Sequence, residues 1–135
     1  MTQLSGACLC GAVSYKGNAD IKMTMNCHCV DCRKVTGSTY GTLLFVVEDS
    51  VDITGKTNVF HHKSDRGSDM QKLFCSSCGS QMFTRNSARQ GVIGIRAGTV
   101  DQTDVVKPTA NLFNDSAFPS TPMDDTIPLH DKMPT

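Results

Sequence analysis

The chain has 135 residues, enough for one domain with a modest core, so its folding need not rest on metal alone. Its 13 Lys and Arg balance its 13 Asp and Glu, which excludes the strong basic field that draws nucleic acid. No apolar run reaches the roughly 18 residues needed to span a membrane, and the opening Met1-Thr2-Gln3-Leu4-Ser5-Gly6 lacks a signal peptide's basic start and apolar stretch, so the expected location is the cytoplasm.

Short segments rich in β-branched and aromatic residues follow one another along the chain. They are 12–16 (AVSYK), 21–26 (IKMTMN), 39–47 (TYGTLLFVV), 58–62 (NVFHH), 70–74 (MQKLF), 81–85 (QMFTR) and 92–97 (VIGIRA). Glycines at 17, 55, 67, 79, 91 and 98 often separate them, and this rhythm predicts an all-β domain. One short helix is expected near 30–35, ended by Gly37. All five prolines fall at or after Pro108, where each removes a backbone donor. The expected division is therefore a domain over 1–115 and an irregular tail over 116–135, draped over the domain or disordered. Leu112, Phe113 and Phe118 give the first half of the proline-containing stretch from Pro108 onward something to bury.

Seven cysteines in a reducing compartment call for a reason other than disulfides, and an odd count leaves one thiol over. They fall into three clusters: Cys8-Leu9-Cys10, Cys27-His28-Cys29-Val30-Asp31-Cys32 and Cys75-Ser76-Ser77-Cys78. Burial as small hydrophobes explains one or two cysteines but not this clustering. Two thiols on one tight turn can chelate one ion, and Gly79 after Cys78 suits a turn that needs positive φ. Seven divides as four plus three. Four thiolates close a tetrahedral zinc site, whereas three leave a position open for chemistry. Spacing allows Cys8, Cys10, Cys75 and Cys78 as the closed set with Cys27, Cys29 and Cys32 as the open one. It also allows a ribbon of Cys29, Cys32, Cys75 and Cys78, leaving Cys8, Cys10 and Cys27 over. The first division keeps each cluster whole and is preferred. His28 as a nitrogen ligand is disfavoured, because in an extended segment its side chain points away from its two neighbours.

Three separated motifs stand in order: Gly6-Ala7-Cys8-Leu9-Cys10-Gly11-Ala12-Val13-Ser14-Tyr15, then Cys27-His28-Cys29-Val30-Asp31-Cys32-Arg33-Lys34, then Phe74-Cys75-Ser76-Ser77-Cys78-Gly79. Over about residues 5–115 the chain resembles the glutathione-dependent formaldehyde-activating enzyme family, which includes centromere protein V. The resemblance implies a β-tent fold, also seen in zinc-binding guanine-nucleotide-exchange chaperones. It implies structural zinc on Cys8, Cys10, Cys75 and Cys78, and a second, catalytic zinc on Cys27, Cys29 and Cys32. It implies a carbon–sulfur lyase that adds glutathione to formaldehyde, giving S-hydroxymethylglutathione. Many family members carry an aromatic, basic C-terminal segment that includes Trp. This chain has no Trp and a Pro- and Asp-rich tail, so a tail that lines the pocket implies a different substrate.

Other residues carry weaker signals. Arg33 is a candidate for anion recognition beside the open site, whereas Lys34 reads as a solvated helix residue. His61 and His62 alternate on a strand, so at most one faces inward, and a surface strand is the plainer account. Asp31 reads as a helix-surface residue, and Ser38, Thr39 and Tyr40 as a strand start. Two function classes follow. One is a zinc-dependent lyase acting on glutathione or another small thiol-linked electrophile; the other is a non-catalytic zinc module or glutathione carrier. The expected partners are a small-molecule thiol, neither nucleic acid nor membrane, and, among assemblies, a homodimer.

Overall fold

The computed structural model describes residues 1–134. Ten strands and one helix follow in order: β1 Thr2–Ala7, β2 Ser14–Ala19, β3 Ile21–Cys27, α1 Val30–Thr36, β4 Gly41–Val47, β5 Val51–Thr54, β6 Thr57–Lys63, β7 Asp69–Cys75, β8 Gln81–Asn86, β9 Val92–Arg96 and β10 Ala110–Leu112. The fold is all-β and forms two sheets. A three-stranded sheet runs β1-β2-β5, and a seven-stranded sheet runs β10-β3-β4-β9-β8-β7-β6. Neighbours pair antiparallel throughout, except that β10 runs parallel to β3. No helix among the described residues is long and apolar enough to cross a membrane.

Period-two alternation decides which face each side chain takes. In β4, Leu44 and Val46 point toward the small sheet, while Leu43 and Phe45 point the other way. The main core therefore lies between the sheets. Leu4, Val13, Tyr15 and Ala19 meet Leu44, Val46, Leu73, Met82, Phe83, Ile93 and Ile95 there. Tyr15 packs edge-on against Phe83, with ring centroids 5.6 Å apart, and its hydroxyl bonds Thr99 Oγ1 at 2.8 Å. A smaller cluster of Met25, Cys27, Cys32, Leu43, Ala110 and Leu112 occupies the opposite face of the large sheet. Each sheet face is thus committed, and the functional groups gather on this second face.

The seven sequence-predicted strands are present with ends shifted by a few residues, and three further strands, β1, β5 and β10, were not expected. Gly17 does not separate strands. It lies inside β2, beside Val51 of β5, and a Cβ there would stand 2.2 Å from the carbonyl oxygen of Ser50 in the turn that leads into β5. The helix ends as predicted: Gly37 takes the left-handed conformation (φ 69°), and its N–H bonds the Arg33 carbonyl.

After β10 the chain doubles back beside that strand. Asn111 N–H donates to the Pro128 carbonyl, and His130 N–H donates to the Asn111 carbonyl, both at 2.9 Å. Buried Asn111 also donates its Nδ2 to the Asp124 carbonyl and accepts from Asn26 Nδ2. These bonds drape the tail over the second face of the large sheet.

Candidate functional site

The sulfurs of Cys8, Cys10, Cys75 and Cys78 all lie within 4.8 Å of one another. The first pair sits in the turn after β1, and the second spans the end of β7 and the turn that follows, so this cluster joins a hairpin of the small sheet to a hairpin of the large one. Both turns are closed by a left-handed glycine, Gly11 (φ 82°) and Gly79 (φ 76°), whose N–H returns to the carbonyl of the first cysteine. Backbone N–H groups converge on sulfur: Val13 on Cys8 Sγ at 3.3 Å, Ser77 and Cys78 on Cys75 Sγ at 3.4 and 3.5 Å. The Val13 N–H lowers the Cys8 pKa, and the Ser80 hydroxyl and backbone bring Cys78 down to about 5. Donors that stabilise thiolates, around four sulfurs at mutual contact, fit a metal ion.

Cys27, Cys29 and Cys32 form a second group, likewise within 4.8 Å. Cys27 ends β3, Cys29 is the N-cap of α1 and Cys32 lies in its first turn. The cap bond runs from Cys32 N–H to Cys29 Sγ at 3.2 Å, so the helix start itself fixes two of the three sulfurs. Crowding splits their acidity. Hydrogen bonds from Cys27 and then Cys29 drive Cys32 down, helped by Arg96 and Lys72. Cys27 is driven up by sharing with Cys29 and Cys32 and by burial.

Arg96 explains how the cluster tolerates negative charge. It is 5% exposed, no carboxylate pairs with it among the described residues, and its Nη1 stands 4.0 Å from Cys32 Sγ. Gly41 makes room for it, since a Cβ there would meet Arg96 Nη1 at 2.9 Å. A buried guanidinium whose partner is sulfur suits a thiolate set rather than neutral thiols. Arg96→Met is therefore expected to weaken metal binding at the three-cysteine cluster about tenfold or more while sparing the four-cysteine one. Competition with a chromophoric chelator measures both.

The three-cysteine group opens into a cavity of about 470 Å³. Apolar walls come from Met25, Leu43, Phe45, Met70, Val92 and Phe113, and the tail adds Ser116, Lys132 and Met133. The tail thus lines the pocket, the case in which the sequence implies a changed substrate. Five cations, Lys63, Arg66, Lys72, Arg89 and Lys132, face two carboxylates, Asp31 and Asp65. A neutral chain has concentrated positive charge here.

Arg33 lies outside this wall, with its guanidinium 4.7 Å from the Phe118 ring centre, where it pins the tail. His28 faces away from the sulfurs and is buried against Tyr40, with ring centroids 4.9 Å apart. His61 is exposed. His62 approaches Asp31 at 3.8 Å, and neither histidine lines the cavity. Asp31 does line it. Ser38, Thr39 and Tyr40 immediately precede β4 and do not. Arg96 and Lys72 were not singled out from sequence. Their signal was a charge set in an apolar strand, which reads the same as a solvent-facing position.

The model of the glutathione-dependent formaldehyde-activating enzyme family matches residues 3–116. The chain belongs to this family. Membership links it to glutathione and formaldehyde chemistry and to a thiol substrate. Among solved structures, the chain is similar to the crystal structure of a Rhodobacter sphaeroides protein. The TM-score is 0.54 at 17% identity, over 77% of this chain and 96% of that one, a likeness of fold. No curated protein is significantly similar in sequence. The formaldehyde-activating family's matched span contains all seven cysteines and most of the cavity wall, and ends at Ser116.

Proposed function

We propose that the protein is a zinc-dependent carbon–sulfur lyase of the formaldehyde-activating type, acting on glutathione or another small thiol and its aldehyde adduct. The observation that carries this reading is the opening of a three-thiol cluster into a cation-lined cavity. We assign Cys8, Cys10, Cys75 and Cys78 a structural zinc, and Cys27, Cys29 and Cys32 a catalytic one. When bound there, zinc supplies a position open to a thiol sulfur or a carbonyl oxygen.

The chain's own residues then do the rest. Arg96 offsets the negative charge that three thiolates leave around one divalent ion. Arg66 and Arg89 are exposed at the cavity mouth and pair with no carboxylate among the described residues, so they can take the carboxylates of a peptide thiol. Lys63 and Lys132 are already held by Asp69 and Asp115. Met25, Leu43, Phe45 and Phe113 keep water from the sulfurs, which strengthens every polar interaction inside. Thiol and aldehyde held in one pocket gain the advantage of proximity.

Cobalt-loaded protein titrated with glutathione tests this. The visible spectrum is expected to change on thiol binding, and formation of the formaldehyde adduct to exceed the spontaneous rate. A spectrum indifferent to glutathione, other small thiols and their aldehyde adducts overturns the reading in favour of a non-catalytic module. A spectral response without rate enhancement indicates a carrier.

A further inference from the structure

One cation of the cavity differs from the other four. Lys63 and Lys132 are engaged by carboxylates, Arg66 Nη2 approaches the Met133 carbonyl at 3.5 Å, and the Arg89 guanidinium lies 5.9 Å from the Phe45 ring centre. Lys72 lies deep in the wall, 4% exposed. It sits on β7 directly opposite Thr84 on β8, and its Nζ donates to Thr84 Oγ1 at 3.1 Å. That is its one hydrogen bond among the described residues, and no carboxylate pairs with it there. An ammonium carries three N–H donors, so two are left for whatever enters the cavity.

A buried lysine that serves structure alone ordinarily has an ion-pair partner. Here burial pushes the Lys72 pKa down, and what restores it first is Cys32, with Cys29 and Asp31 behind. Lys72 lines the same cavity as Cys27, Cys29 and Cys32, so its ammonium shares that space with the sulfurs. Its direction is set from behind. Thr84 pairs with Gly94 on β9, and a Cβ at Gly94 would stand 2.6 Å from Thr84 Cγ2. The missing side chain lets Thr84 pack there with its hydroxyl turned to Lys72.

We propose that Lys72 is a catalytic residue that donates a proton to the aldehyde-derived oxygen of the thiol adduct; the proposal rests on the lyase reading above. In the forward step the thiol sulfur forms a bond to the aldehyde carbon, and the C=O π pair moves onto oxygen. An Nζ proton passes to that oxygen, giving the hydroxyl, and the proton lost by the thiol restores the ammonium. Nothing is oxidised or reduced, and the reverse sequence releases the aldehyde. The depth of Lys72 separates this role from carboxylate binding. The carboxylates of a peptide thiol lie far from its sulfur, near the exposed Arg66 and Arg89, whereas the reacting carbon is one bond from sulfur, on the cavity floor.

The test uses zinc-loaded wild type, Lys72→Met and Thr84→Val, with glutathione and formaldehyde as probes. Glutathione affinity is measured by calorimetry and adduct exchange by carbon NMR. Lys72→Met is expected to lose about a hundredfold or more in kcat while binding glutathione within about twofold of wild type. Thr84→Val, which keeps the charge but frees its direction, is expected to lose about tenfold. Wild-type exchange rates in Lys72→Met overturn the proposal alone. So does a loss of glutathione affinity that matches the loss of rate, because Lys72 would then anchor the thiol. If Lys72→Met fails to fold, full activity in Thr84→Val overturns it. Wild type that neither binds glutathione nor speeds exchange overturns the lyase reading, and the Lys72 role with it.

Discussion

Cys75→Ser is expected to lose the metal of the four-cysteine cluster and, with it, much of the domain's thermal stability. Cys75 is fully buried, its sulfur collects two backbone N–H groups, and its cluster ties one sheet to the other. Metal binding at such a site counts directly toward folding. Structural zinc in finger peptides contributes about 10–16 kcal/mol, comparable with the whole stability of a domain, about 5–15 kcal/mol. The 135-residue chain also has a core between its sheets, so part of that loss is absorbed by packing. A fall in Tm of at least about 10 °C is the expected outcome. Thermal unfolding followed by circular dichroism, with metal analysis of the same sample, measures it. An unchanged Tm after loss of the metal would show that the sheets hold each other without the clip.

Cys29→Ser should do the opposite: spare the fold and remove the chemistry. Cys29 is the N-cap of α1, and its sulfur accepts the Cys32 N–H. Serine is among the best N-caps, so its hydroxyl can take over that bond while ligating metal poorly. The variant is expected to keep its Tm within about 3 °C, to bind one metal ion per chain rather than two, and to form adduct no faster than the uncatalysed mixture. Elemental analysis and the adduct exchange rate read these separately. If Cys29→Ser and Cys75→Ser lose thermal stability equally, the two clusters do not divide structure from chemistry.

Much of the architecture was legible because strands announce themselves by composition. Segments such as 39–47 and 92–97 are dense in Val, Ile, Leu and Phe, and both became strands of the large sheet. The strands that went unread had too little to show. β1 carries a single large apolar residue, Leu4; β5 has four residues; β10 has three and depends on β3 for its pairing. Spacing revealed that cysteines share turns, since that is a local matter. Which turn meets which is decided by how the small sheet stacks on the large one, and no short window of sequence holds that information. Lys72 and Arg96 were invisible for a related reason. Alternation tells that a residue leaves the core face of a strand, but not that the face it joins is enclosed by a tail from the far end of the chain.

The two cysteine clusters differ in how far along the chain their members lie, and this orders the events of synthesis. A chain emerging N-terminus first presents Cys27, Cys29 and Cys32 as a complete local set before either Cys75 or Cys78 exists. Closing that short segment costs little loop entropy, whereas the four-cysteine set must join ends separated by most of the domain. The first ion captured on the ribosome is therefore expected at the three-cysteine cluster, and the four-cysteine cluster is expected to fill only after β7 and β8 have turned back on the rest. Under metal shortage, newly made molecules are expected to carry their ion at the three-cysteine cluster before the four-cysteine one.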